Sequence, residues 1–145
     1  ALVADTPIEA AQPRDGGLVA SEKHDRSYFQ SRLREELERA RRYDRQFSLL
    51  IVESVRATDG IPLRKKLEFA LDAVASQVRA SDVVGRMFED TIAVLLVETD
   101  EHGPHDALFR IRNKLATQAG RWQVTTLCFP RDRADIENSA LLSAA

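Results

Sequence analysis

An arginine and an aspartate that could together recognise a guanine base lie close in the sequence, at Arg79 and Asp82. A planar guanidinium can donate two parallel hydrogen bonds to O6 and N7 of guanine, and it can stack on the purine face. A carboxylate can accept hydrogen bonds from N1 and N2 of the same base, so the pair would select guanine over adenine. The same spacing recurs at Arg41–Asp44 and Arg56–Asp59, which makes the motif weakly specific by itself.

The structural alternative is that Arg79 and Asp82 form an exposed ion pair at a turn between a helix and a strand. Such a pair stabilises a protein by less than ~1 kcal/mol and needs no ligand to explain it. The spacing alone leaves both interpretations open.

Other residue types that often do chemistry indicate no second site. Cys128 lies inside the apolar run Val124–Phe129, which favours a small buried side chain over a reactive thiol. His102 and His105 have no cysteine nearby, and no metal or other cofactor is predicted. Arginines between residues 32 and 45 are interspersed with acidic residues, which favours a solvated helix face over a surface for nucleic acid.

Length and composition place the chain among ordinary globular domains. It has 145 residues, of which 43% are hydrophobic and 30% charged, and its formal net charge is −2. This balance excludes a disordered chain, a strongly basic nucleic-acid binder and a segment inserted in a membrane, since no apolar run approaches ~18 residues. We expect the domain to lie in the cytoplasm, a reducing compartment. Because the sequence starts at Ala1 rather than Met, we also expect the domain to be the cytoplasmic part of a longer, membrane-anchored protein.

The pattern of apolar residues predicts the elements that position Arg79 and Asp82. Residues 1–21 are rich in Ala, Pro and Gly and are interpreted as a linker from an upstream region, so the domain is expected over 22–145. The predicted elements then follow along the chain: a helix over Asp25–Tyr43, a strand over Phe47–Val52 ended by Glu53, a helix from Pro62 to Val78, a hairpin with strands at Val83 and Ile92–Val97 joined through Met87–Thr91, a helix marked by Leu108, Ile111 and Leu115 and stopped at Gly120, a strand over Trp122–Phe129, and a short helix around Ile136–Leu141.

After the first helix the order is β-α-β-β-α-β. That order predicts an α+β domain of the ferredoxin-like class, in which a mostly antiparallel central sheet carries both helices of the unit on one face.

Three segments carry a resemblance to GGDEF domains, the fold of diguanylate cyclases: FQSRLREELERARRYDRQFSLLIVE, RASDVVGRMFEDTIAVLLVETD and RIRNKL. The resemblance covers about residues 25–142 and agrees with the predicted order of elements. In that family the hairpin carries Gly-Gly-Asp-Glu-Phe at its tip, where this chain has Phe88–Ile92. The chain therefore resembles a degenerate member.

The departures at the tip imply that the chain is not an enzyme. The family's glycines let the backbone approach the nucleotide, and Phe88 and Glu89 would fill that space. Thr91 replaces an acidic residue of the metal and catalytic machinery, and Glu53 stands where the family has a metal-binding aspartate. The segment that holds the guanine of the substrate is shortened to residues 54–60.

The resemblance gives Arg79 and Asp82 a specific meaning, because active members bind their product, cyclic di-GMP, at an inhibitory Arg-x-x-Asp site in this position. A further arginine completes that site, and Arg110 occupies the matching place, with Arg112 as the nearby alternative. We therefore expect a non-catalytic cyclic di-GMP receptor in bacterial second-messenger signalling.

The expected partners of such a receptor are other domains of the same protein, a partner protein, or a second copy that grips the ligand as a homodimer. Phe88 is expected to be exposed at the hairpin tip, where it would touch a partner. The alternative is a scaffold or dimerisation module that kept the fold and lost all ligand binding.

Overall fold

The computed structural model describes residues 23–55, 60–98, 103–117 and 121–142. Within these ranges the elements follow the predicted order, with one short strand added before the first helix. Their bounds are β1 (Lys23–His24), α1 (Arg26–Tyr43), β2 (Phe47–Val55), α2 (Leu63–Ala75), β3 (Val83–Phe88), β4 (Thr91–Val97), α3 (Gly103–Leu115), β5 (Arg121–Phe129) and α4 (Arg133–Glu137).

The strands form one sheet in the order β1-β3-β4-β2-β5. β2, β3, β4 and β5 pair antiparallel, and β1 adds to β3 in parallel at one edge. The predicted α+β class and the mostly antiparallel sheet are therefore confirmed. β1 was not predicted, because a strand of two residues has no alternation to detect.

Each face of the sheet buries its own hydrophobic core. Along β2, Leu50 and Val52 point to a core that contains residues of α2 and α3. Phe47 and Leu49 point to the opposite core, which contains residues of α1 and α4. The two helices of the β-α-β-β-α-β unit thus share one face as predicted, and α1 and α4 cover the other face.

The start of α1 is fixed by a side-chain cap and by close packing on β3. Asp25 accepts a hydrogen bond from the backbone N–H of Tyr28 at 2.9 Å, which satisfies one of the free donors at the helix start. Phe29 lies against Gly85 so closely that a Cβ at Gly85 would be 2.7 Å from the Cβ of Phe29. Any larger residue at Gly85 would push α1 off the sheet.

Several predicted boundaries were wrong. β2 does not end at Glu53, because Ser54 and Val55 continue the ladder with β5. α2 ends at Ala75 rather than near Val78, and the hydroxyl of the next residue, Ser76, donates to a carbonyl of the last helical turn. The linker at residues 1–21, His102 and Gly120 lie outside the described residues. No helix in the described ranges is both long and apolar enough to cross a membrane.

Candidate functional site

The hairpin between β3 and β4 turns over two residues, Glu89 and Asp90, rather than the five predicted. Phe88 and Thr91 pair with each other as the last residues of their strands. The carbonyl of Asp90 accepts the backbone N–H of Ser54 at 3.0 Å, and its carboxylate accepts the Thr91 hydroxyl at 2.9 Å. These bonds hold a tight turn that contains no glycine.

Phe88 is half-buried, which contradicts the prediction of an exposed aromatic at the tip. The register of β3 shifts between Arg86 and Phe88. Because of this irregularity the consecutive residues Met87 and Phe88 both pack into the core on the α1 side. The guanidinium carbon of Arg26, at the start of α1, lies 5.6 Å from the centre of the Phe88 ring. The Phe88 side chain therefore packs the hairpin against α1.

The two positions that the family resemblance assigns to metal binding face each other across the sheet. Glu53 of β2 is directly opposite Thr91 of β4. Thr91 is buried and its hydroxyl is bonded to Asp90, so the ladder offers Glu53 a hydroxyl group instead of a second carboxylate. Across the described residues, no group of three or more His, Cys, Asp or Glu side chains could hold a metal ion.

Asp82 is a buried carboxylate, with only 2% of its side chain exposed. Its Oδ2 accepts the backbone N–H of Arg79 at 2.9 Å, and its Oδ1 accepts the backbone N–H of Val97 at 3.2 Å. These bonds tie the turn that follows α2 to the end of β4. The alternative of a simple exposed ion pair is therefore wrong for Asp82.

Arg110 reaches from α3 to the end of α2. Its Nε and Nη2 donate to the carbonyl of Gln77 at 3.3 and 3.1 Å. Gln77 lies two residues before Arg79 in the same turn, so the three predicted site residues converge on one corner of the domain. Arg112 instead lies beside Leu115 and Trp122, next to β5. The structure thus brings Arg110, rather than the alternative Arg112, to the Arg79 and Asp82 corner.

The charge of Asp82 is controlled by burial and by the two arginines. Burial raises the pKa of its carboxyl above the ordinary value of 3.8. The N–H groups of Arg79 and Val97 and the positive charges of Arg79 and Arg110 oppose that rise in pKa. One buried carboxylate accompanied by two guanidinium groups leaves the corner with an excess of positive charge, which suits an anionic ligand.

Arg79 is partly exposed, as Arg110 is, whereas Asp82 is buried. Its side chain is 35% exposed, and its Nε lies 3.7 Å from Oδ2 of Asp82, beyond hydrogen-bond distance. Among the described residues, no hydrogen bond from its terminal nitrogens is found. The sequence did not predict that backbone groups of Gln77 and Val97 are partners in this corner, because nearly every residue type has the same backbone groups.

Comparison with known proteins gives the fold but no closer relative. No family profile matches the sequence, and no curated protein matches it. A DGC protein from Thermotoga maritima superposes with a TM-score of 0.71 and 21% identity, over 83% of this chain and 92% of that chain. The GGDEF domain of DgcB from Caulobacter crescentus, solved in complex with c-di-GMP, gives 0.54 and 12%, over 91% and 92%.

A third structure contains a partner protein. Diguanylate cyclase SiaD from Pseudomonas aeruginosa, in complex with its activator SiaC, gives a TM-score of 0.61 and 21% identity, and the match covers 81% of this chain. This chain spans about half of SiaD, because only 53% of that protein is covered. The three likenesses show that the chain has the fold of GGDEF domains, as predicted.

Proposed function

We propose that this domain is a non-catalytic receptor for cyclic di-GMP in bacterial second-messenger signalling, with Arg79, Asp82 and Arg110 as its binding residues. The observation that carries the proposal is the convergence of these three side chains at one corner, where Arg79 remains partly exposed beside a buried carboxylate. A domain of the same fold, that of DgcB, has been solved with this ligand.

Arg79 is the residue proposed to recognise guanine. Its terminal nitrogens are available for two parallel hydrogen bonds to O6 and N7, and its partial exposure lets the guanidinium stack on a purine. Arg110 uses Nε and Nη2 for Gln77, and its charge remains to attract a phosphate of the ligand.

Asp82 is proposed to act first by positioning Arg79. The backbone bond between the two residues fixes the start of the Arg79 side chain, and the carboxylate attracts the guanidinium from 3.7 Å. A direct contact of the Asp82 carboxylate with N1 or N2 of guanine would need this side chain, of which 2% is exposed, to become accessible when the ligand binds.

The proposal that the domain is non-catalytic is supported by the packing of the hairpin. Phe88 is half-buried and packs against the core, and Thr91 lies in the ladder opposite Glu53. The position therefore lacks the paired acidic side chains that would hold a metal ion on a triphosphate. In the cytoplasm, such a receptor would transmit the binding of cyclic di-GMP through contacts with other domains, a partner protein or a second copy.

Calorimetric titration of the purified chain with cyclic di-GMP, and separately with GTP and magnesium, tests the proposal. We expect binding of cyclic di-GMP only. Arg79→Ala should weaken it at least ~30-fold, equivalent to about 2 kcal/mol, because the guanine edge loses a bidentate partner. The matched control is Arg56→Ala, which removes an Arg-x-x-Asp of the same spacing elsewhere in the chain. Equal binding by both variants, or no binding by the unmodified chain at high micromolar ligand, would contradict the proposal.

One observation favours the second candidate, a ligand-free scaffold. Asp82 and Arg110 both make internal hydrogen bonds that stabilise the corner without any ligand. If the scaffold interpretation is right, Arg110→Ala will lower the stability of the fold and no titration will show bound cyclic di-GMP.

A further inference from the structure

β5 forms one edge of the sheet, and in the described part of the chain no strand pairs with its outer side. The backbone of Cys128 shows which of its residues point outward. Its N–H donates to Oδ2 of Asp132 at 2.8 Å, and its carbonyl accepts the backbone N–H of Asp132 at 2.6 Å. Both groups of Cys128 are therefore directed away from β2.

Backbone direction alternates along an antiparallel strand, so every second residue shares the orientation of Cys128. Trp122, Val124 and Thr126 consequently present their N–H and C=O groups at the outer edge of β5. Asp132 closes this edge at Cys128. The segment from Trp122 to Thr126 is left as a template for one more strand.

The edge carries none of the features that usually prevent strand addition. β5 pairs with β2 in unbroken register over nine residues, without a bulge. Proline is absent from the strand, and Arg121 at its start is its only charged residue. The opposite edge of the sheet is the two-residue strand β1, which is too short to pair stably.

A cavity of about 210 Å³ lies beside this edge, and Arg112 lines it together with apolar residues. Leu115 and Ala116 line it from the end of α3, and Trp122 and Val124 line it from β5. The indole Nε1 of Trp122 is buried and has no hydrogen-bond partner among the described residues. An unsatisfied buried donor is unfavourable by about 1–3 kcal/mol.

We propose that β5 pairs antiparallel with β5 of a second copy, about a two-fold axis at Val124. A register centred on Val124 pairs all three outward residues with outward residues of the second copy, whereas a register centred on Thr125 would set Trp122 opposite Cys128, whose backbone groups are bonded to Asp132. In the register centred on Val124, Trp122 faces Thr126 of the second copy, and the edge groups form about six hydrogen bonds. The two sheets become one continuous sheet.

The side chains of β5 fit this symmetric pairing. Residues opposite each other in a ladder lie on the same face of the sheet, so Thr126 of the second copy lies on the same face as Trp122. On the other face Arg121 meets Leu127 and Gln123 meets Thr125, so no like charges are brought together. A strand that is uncharged from Trp122 to Phe129 is complementary to itself.

This pairing does not depend on the proposed ligand, since β5 carries none of the residues of the Arg79 corner. Sedimentation equilibrium of the unmodified chain without nucleotide tests it. We expect the mass to double between about 5 and about 300 µM, the behaviour of a small interface. Residue-resolved amide exchange should slow at least ~10-fold with concentration at Trp122, Val124 and Thr126, and stay constant at Gln123 and Thr125.

Val124→Pro removes the central outward N–H without removing a bond to β2, and it should weaken association at least ~10-fold. Val124→Thr is the matched control, because it keeps the N–H and the strand preference, and it should associate like the unmodified chain. A monomer at every concentration would overturn the proposal. Protection of the three edge amides that does not vary with concentration would also overturn it, since another segment of the same chain would then cover β5.

Discussion

The hairpin tip, Phe88–Thr91, and the Arg79 corner, formed by Arg79, Asp82 and Arg110, differ in how their side chains stabilise the fold. At the tip, Phe88 packs against the core and Thr91 is buried in the β-ladder opposite Glu53. At the corner, Asp82 and Arg110 make internal bonds while Arg79 is partly exposed. The side chains at the tip are structural, whereas the corner combines a structural carboxylate with a partly exposed guanidinium. Under the proposed function, Asp82 stabilises the turn and its neighbour Arg79 provides the contact with the ligand.

Removing the carboxylate of Asp82 should have the largest effect on stability. Asp82→Ala leaves the backbone N–H groups of Arg79 and Val97 without their acceptor in a buried place, and we expect a loss of about 3 kcal/mol. Chemical denaturation measures it. Asp82→Asn should lose less, because the amide oxygen still accepts one bond. A loss below ~0.5 kcal/mol for Asp82→Ala would show that the carboxylate does not hold the corner together.

The structural role of the tip is tested by Phe88→Ala. This change removes packing against α1 and the contact with Arg26, and it should lower stability by about 1–2 kcal/mol. Phe109→Ala is the matched control, since the Phe109 side chain is 67% exposed and should change stability by less than ~0.5 kcal/mol. Equal thermal midpoints for the two variants would contradict the packing of Phe88.

Two aspartates should respond to pH in opposite directions. Burial raises the pKa of Asp82 above 3.8, so Asp82 binds a proton more tightly in the folded protein than in the unfolded chain. Its contribution to stability is therefore lost as pH rises through that pKa. The hydrogen bonds from Arg131 and then from the N–H of Cys128 lower the pKa of Asp132 below 3.8, so its contribution is lost as pH falls through that lower pKa.

Denaturation of the unmodified chain, Asp82→Asn and Asp132→Asn between about pH 3 and about pH 6 checks these signs. The stability difference between the unmodified chain and Asp82→Asn should shrink as pH rises. The stability difference between the unmodified chain and Asp132→Asn should grow as pH rises. Slopes of the same sign would refute the burial of Asp82 as the cause.

The smallest expected effect is on turnover. Under the proposed non-catalytic function, the unmodified chain should form no cyclic di-GMP from GTP with magnesium or manganese, because Thr91 rather than a second carboxylate lies opposite Glu53. The triple variant Phe88→Gly, Glu89→Gly and Thr91→Glu should also form none, since Glu53 and the short segment over residues 54–60 remain. Product above the buffer level from either protein would mean that the tip keeps catalytic capacity.

The sequence predicted much of the fold because its signals are local. Helical spacing along α1 and the apolar run of β2 indicated their elements directly. The two-residue turn at Glu89 was missed, because it is held by a bond from Ser54 of another strand. The shift before Phe88 was likewise invisible, since register depends on both strands.

In the candidate site, Arg79, Asp82 and Arg110 were predicted from the resemblance to GGDEF domains, and the structure brings them together. The burial of Asp82 was not predicted. It follows from the backbone N–H of Val97, a group that every residue except proline has and that no motif can reveal. A family resemblance can therefore suggest which side chains meet, but tertiary packing determines which of them are buried and which are exposed.

Amide chemical-shift mapping by nuclear magnetic resonance during titration with cyclic di-GMP compares the two regions in one measurement. We predict saturable shifts around Arg79, Asp82 and Arg110 and none around Phe88, Thr91 and Glu53. GTP with magnesium should move neither group. Shifts centred on Phe88 and Thr91, or the absence of saturable shifts at high micromolar cyclic di-GMP, would contradict a receptor that binds through the Arg79 corner.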